Sequence, residues 1–347
     1  MKKLSLVLAL ALILMSLGIT APEAHAEETL VIYNAYDYID EEILEQFTAE
    51  TGIKIKYTMF TTIEEMYVKL TAGGSSYDII CPSDYMIERL IKEDLLAEID
   101  YSKVPNAQGI ADWLWDADFD EGLAHGVPYM WGTVGILYNE DYVDEEITSW
   151  SSLFDPSYRK DVFMLDSMRE SIGLALKYLG FSMNDHTDEA LTAARDLLIK
   201  QKDDGIVQGY LVDEVKDKMV AGEAAMAVMW SGDAMYAMME NDSLKYVVPE
   251  EGSNIWVDCM CITKSSEHYD AALQFINFLC RPDIALRNYE YIHYASPIES
   301  IYDEVDPEEV ANPAVNPSRE IIDRCEYFHD IMDYIDTFNK YWMEIRA

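Results

Sequence analysis

The chain has 347 residues, with 25 lysines and arginines against 65 aspartates and glutamates, a formal net charge of −40. A polyanion of that size repels nucleic acid and anionic lipid headgroups, which excludes a DNA- or RNA-binding role. Half of the residues are hydrophobic and 12% are aromatic, enough apolar material for a folded chain, and the length suggests two domains.

Residues 1–26 read as a secretory signal peptide. Lys2 and Lys3 precede an apolar run, Leu4 to Met15, that is too short to span a bilayer, and Ala24-His25-Ala26 is a small-x-small cleavage site. The alternative, an uncleaved anchor helix, is opposed by the brevity of the run and by Pro22. With no cysteine beside the cleavage site and no later spanning segment, the expectation is an exported chain without a lipid anchor.

From Leu30 the chain alternates strands and helices. Leu30–Tyr33 is a short apolar strand. Asp40 caps a helix with Ile43, Leu44 and Phe47 on its apolar face, and Gly52 stops it. Ile53–Tyr57 alternates as a half-buried strand. Thr62 and Glu65 form a capping box for a helix through Leu70, ended by Gly73-Gly74. Tyr77–Cys81 is the next strand, and a helix follows from about Tyr85 to Leu95. This rhythm predicts an α/β domain with a largely parallel sheet. It loosens after Val127-Pro128-Tyr129 and resumes with a strand at Phe163–Leu165, helices near 171–179 and 188–202, and a strand at Ala224–Trp230. Strand-like runs at 244–248 and 255–262 precede helices around 268–280, 284–292 and 329–345. The absence of a flexible linker suggests two lobes between which the chain crosses more than once.

Catalytic and cofactor motifs are missing. There is no phosphate-binding loop, dinucleotide fingerprint or Gly-x-Ser-x-Gly elbow, and no two histidines stand at metal-ligand spacing. The expectation is no catalytic residue, no metal and no cofactor. Cys81, Cys259, Cys261, Cys280 and Cys325 read as small buried hydrophobes, with a long-range disulfide left open.

The informative pattern is aromatic residues and carboxylates recurring where predicted strands end. Asn34-Ala35-Tyr36-Asp37-Tyr38, Pro82-Ser83-Asp84-Tyr85, Asp166-Ser167-Met168-Arg169-Glu170 and Trp230-Ser231-Gly232-Asp233 all do this. Trp256 and Asp258, two apart in a strand, share one face, and Cys259 and Cys261 take the other. Aromatic faces attract ammonium groups and sandwich methylene chains, and carboxylates fix the charged ends, so the set suits an organic polycation. Structural roles compete. Asp84 is expected to cap the helix at Tyr85, and Arg169 to neutralise or orient a neighbouring carboxylate. Trp230 suits a pocket wall or the core, with the Ser-Gly-Asp turn favouring the pocket.

At these residues the sequence resembles the spermidine/putrescine-binding family of periplasmic ABC-transporter receptors. Tyr33-Asn34, Asp37-Tyr38-Ile39, Tyr77-Asp78, Pro82-Ser83-Asp84-Tyr85, the Pro128–Thr133 run, Gly135–Asn139, Trp230–Asp233 and Trp256–Asp258 carry the likeness in order and spacing. The resemblance implies a hinged, two-lobed α/β fold of periplasmic-binding-protein type II, each lobe a mixed, mostly parallel sheet flanked by helices. Lobe 1 would comprise about 27–134 plus 256–302, and lobe 2 about 135–255 plus 303–347. It further implies that Tyr38, Ser83 and Tyr85 line the cleft and that Trp230, Trp256 and Tyr294 pack on the ligand's aliphatic chain. Asp37, Glu170, Asp233 and Asp258 would meet its ammonium groups.

Three positions depart from the family pattern. Ala35 stands where relatives place Trp, with Tyr36 as a neighbouring substitute. Ser167 stands where some carry an acid, with Asp166 one residue away, and Phe328 replaces a polar amide. The expected role is a monomeric periplasmic receptor that takes putrescine or spermidine, leaning to putrescine, to an inner-membrane permease with a separate ATPase. The alternatives are a same-fold receptor for another amine, a sugar or a metal chelate, and an exported two-carboxylate hydrolase.

Overall fold

A computed structural model describes residues 28–73 and 76–347; the signal-peptide reading and Gly74 lie outside the described residues. The first strands and helices follow local chemistry. Strand β1 (Thr29–Ala35) pairs in parallel with β2 (Lys54–Phe60). Between them runs α1 (Glu41–Thr51), whose first turn is capped by the Asp40 carboxylate on the Glu42 amide, while Gly52 ends it in the left-handed region. Helix α2 (Ile63–Thr71) is capped by Thr62 on the Glu65 amide, and Glu65 reaches back to the amide of Thr61 rather than that of Thr62. Strand β3 is only Ile79–Ile80, and α3 (Asp84–Lys92) ends before the expected Leu95, because Asp94 takes a left-handed conformation.

The largest departure from the sequence reading is β4 (Gly126–Asn139), fourteen buried residues in which the sequence shows only a loosened pattern. Pro128 and three glycines hide it. Pro128 lacks an amide donor and sits at a register shift, where a strand tolerates it. Strands β5 (Val162–Leu165), β6 (Val207–Leu211), β7 (Met226–Trp230), β8 (Leu244–Val247) and β9 (Ile255–Ile262) complete a nine-stranded sheet. Its order is β2-β1-β3-β9-β4-β7-β5-β6, with β8 also on β4. The sheet is mixed. Parallel pairs form its two outer parts, and β4 and β9 are antiparallel to their neighbours at its centre.

Helices α4 (Met168–Tyr178), α5 (Asp188–Asp203), α6 (Glu214–Val220) and α7 (Ser231–Glu240) flank the second part. Helices α8 (Tyr269–Leu279) and α9 (Pro282–Ile292) return to the first, and α10 (Ile335–Arg346) packs on the second. β6 and α6 have no counterpart in the sequence reading, and 329–334 contributes a 3-10 turn rather than the start of α10.

One apolar cluster surrounds β1–β3, β9 and the first half of β4; two more surround β5–β8 and its second half. These are the two lobes of the fold. Where they meet, three stretches of chain lie side by side. The Val134 amide donates to the Asn254 carbonyl (3.1 Å), the Glu326 amide to Ser253 (2.8 Å), and the Ile255 amide to Glu326 (3.0 Å). All five cysteines are free thiols, four of them buried.

Candidate functional site

The carboxyl ends of β1 and β3 and the start of the antiparallel β9 arrive at one edge, where the Ser83 and Asp258 backbones pair. Ser83 holds the N-cap position of α3, but its hydroxyl turns to Asp258 Oδ1 (2.6 Å) instead of capping the helix. The Tyr38 hydroxyl donates to Asp258 Oδ2 (2.8 Å). Burial pushes the Asp258 carboxyl up to about 6, against the pull of these two hydrogen bonds. Tyr38 is itself fixed through its carbonyl, which accepts from the Tyr129 hydroxyl (2.6 Å), while Asn288 donates to that hydroxyl (2.7 Å).

An aromatic wall runs from this carboxylate. The Trp256 and Tyr294 rings meet edge to face at 5.0 Å, and Tyr38 stands 6.2 Å from Tyr294. Two glycines admit the wall. A Cβ on Gly132 would lie 2.6 Å from the Trp256 ring, and one on Gly232 would lie 2.3 Å from the Tyr294 ring. The indole N–H of Trp256 is buried without a protein partner.

The wall leads to a cleft of about 510 Å³ lined by Tyr36, Asp37, Tyr38, Trp230, Asp233 and Tyr294, all expected from the sequence. Asp233, in the first turn of α7, accepts weakly from the Tyr294 hydroxyl and from Lys216 Nζ, each at 3.4 Å. Burial raises its carboxyl and Lys216 opposes the rise. Asp37 adopts φ 53° and accepts from the Tyr291 hydroxyl at 2.6 Å. Tyr36 is 73% exposed at the mouth.

Glu170, in the first turn of α4, takes the Ser167 hydroxyl as its partner. Burial, with the charges of Glu64 and Glu170, raises the Tyr85 phenol well above its ordinary value, and the Tyr85 hydroxyl donates to Glu64 at 3.2 Å.

Several expectations need correction. Asp166 does not join the cleft carboxylates: it is exposed and ion-paired with Arg346 of α10 at 2.8 Å, because its amide is still bonded to β6 and its side chain turns outward. Asp84 is the buried first residue of α3 rather than its cap. It accepts from the Tyr85 amide (2.7 Å), and burial holds its carboxyl well above the usual range. Arg169 makes no ion pair with a carboxylate among the described residues, although its charge opposes the rise of the Asp84 carboxyl. It donates to the His329 carbonyl (2.9 Å) and to Asn184 (3.2 Å), and stacks 4.2 Å over Phe328, which accounts for an aromatic ring at that position. Trp230 is half-buried and serves both pocket and core. Sequence reasoning missed Asp213, Lys216, Tyr236 and Tyr291 in the cleft. Asp213 and Lys216 sit in the unforeseen turn and helix after β6, in a run of charge that reads as a solvated face.

Two α/β lobes that share the long strand β4, with an aromatic and acidic cleft at the sheet edge, define a solute-binding receptor. The chain belongs to the bacterial extracellular solute-binding protein family, whose profile matches residues 42–317. It is 33% identical over 335 residues to the spermidine/putrescine-binding periplasmic protein of Salmonella typhimurium, covering 96% of each chain. It is 31% identical over 341 residues to the putrescine/agmatine-binding protein of Pseudomonas aeruginosa, covering 90% of this chain and 91% of that one. Among solved structures, the substrate-binding protein of a spermidine/putrescine ABC transporter from Streptococcus pneumoniae superposes with a TM-score of 0.84 at 37% identity, over 92% of this chain and 98% of that one.

Proposed function

We propose that this chain is the exported receptor of a polyamine ABC transporter and binds putrescine or spermidine between its lobes. The observation that carries the reading is Asp258 held by Tyr38 and Ser83 at the foot of the Trp256–Tyr294 wall. A protonated amine there gains a charge-assisted hydrogen bond, and its methylene chain lies against aromatic faces. Asp233, Asp37 and Glu170 are further carboxylates for the remaining ammonium groups. The named relatives support the same ligand class. In this reading lobe 1 is about 27–134 plus 256–302 and lobe 2 about 135–255 plus 303–347. The chain works as a monomer in the periplasm, binds without turning ligand over, and hands the closed form to a permease driven by a separate ATPase.

Calorimetric titration with putrescine and then spermidine at neutral pH tests this. One ligand per chain at a Kd of about 1 µM or tighter, roughly −8 kcal/mol, is expected. No heat and no thermal stabilisation with either amine would overturn the polyamine assignment and leave the fold standing.

A further inference from the structure

Lys216 is the one lysine or arginine among the described residues lining the cleft. It projects from α6, and its ammonium lies 3.4 Å from Asp233 Oδ1 and 5.5 Å from the Tyr236 ring centroid. A carboxylate and an aromatic face are the two kinds of contact through which a cleft of this type holds a ligand's amine. The same Asp233 also meets Tyr294, the outer part of the aromatic wall.

We propose that Lys216 is a built-in competitor for the Asp233 ammonium subsite, which a polyamine enters by displacing the lysine side chain. The inference rests on the polyamine reading above. The lysine is about one-third exposed on a flexible stem, so it can swing to solvent while the half-buried carboxylate stays where it is. In the empty receptor it neutralises a carboxylate that would otherwise stand desolvated and unpaired. In the loaded one its charge is spent in water. Binding is thereby weakened, and the weakening is a property of this one side chain rather than of the cleft's shape.

The test is titration of the full chain, Lys216→Gln and Lys216→Arg with putrescine and spermidine. Removing the competing charge should tighten both amines about tenfold, a change the calorimeter resolves readily. Lys216→Arg keeps the charge and should stay within about threefold of the parent. Equal affinity in the parent and Lys216→Gln overturns the proposal. So does weaker binding in Lys216→Gln, the result expected if the lysine merely positions Asp233, and so does tightening in both variants. Thermal melting of the unliganded chains separates any folding defect from these outcomes. If none of the three bound either amine, the receptor reading itself would fall and take this inference with it; binding by all three with unchanged affinity removes only the role of Lys216.

Discussion

Asp258 concentrates the conflict between stability and binding. Its carboxyl is raised from 3.8 to about 6 because burial costs the charged form more than Tyr38 and Ser83 return. The protonated acid cannot pair with an ammonium group, so putrescine affinity should fall about tenfold between roughly pH 7 and pH 5, and Asp258→Asn should flatten that dependence. Stability has the opposite sign. A carboxyl whose pKa is raised on folding destabilises the folded chain once ionised, by about 3 kcal/mol at most above both values. Melting of the unliganded chain should therefore show Asp258→Asn above the parent at about pH 8, with the gap closing as pH falls through 6 and vanishing below about 4. A gap that persists in acid would mean the gain has another source. Trp256 and Asp258 are legible in the sequence because an acid two residues from an aromatic in a core-facing strand needs a reason to be there. Lys216 is not legible, because nothing local separates a lysine that folds back onto Asp233 from one in solvent. Asp166 misleads for a related cause: at a strand end one residue decides between cleft and outer edge, and the pleat does not say where the strand stops.

At the scale of elements, β9 itself supplies Trp256 and Asp258, and the turns and helix starts beyond the strand ends build the rest of the cleft. β7 delivers Trp230 and then starts α7 at once, which brings Gly232 and Asp233 against Tyr294 from the other lobe. The tolerance there is small. A methyl group on Gly232 would overlap the Tyr294 ring at 2.3 Å, and the ring cannot retreat while it packs on Trp256 at 5.0 Å. Gly232→Ala should thus cost about tenfold or more in amine affinity by holding the lobes apart, the order expected of overpacking. The melting temperature of the unliganded variant should change little, since alanine favours the helix and the clash can be relieved by opening. A large fall in melting temperature with intact affinity would place the clash inside one lobe instead. Helices with strong local signals, such as Asp40 before α1 and Gly52 after it, are readable because the cap is chosen within a few residues. β4 is not, because its evidence is long-range: β9 pairs its first half and β7 and β8 its second, and no local pattern encodes such partners.

At the scale of the molecule, charge and topology act together. The lobes meet through Val134, Ser253–Ile255 and Glu326, three short stretches bonded side by side, so rotation there changes the cleft while the strand pairing within each lobe is kept. Into that cleft the whole chain projects the field of a formal net charge of −40. For a ligand of two or three positive charges this field acts before contact, raising the encounter rate by about 10-fold to 10³-fold at low salt. Close pairing inside the cleft is screened far less than the surface field. The two contributions can be separated by salt. Raising ionic strength from about 0.02 M to about 0.5 M shortens the screening length from roughly 20 Å to roughly 4 Å. Stopped-flow tryptophan fluorescence, with Trp230 and Trp256 as reporters, should then show the putrescine association rate falling by about tenfold. Dissociation, governed by Asp258 and the aromatic wall, should change by less than about threefold. An association rate indifferent to salt, with the loss of affinity all in dissociation, would mean that the acidic surface plays no part in capture and that attraction begins only at the cleft carboxylates.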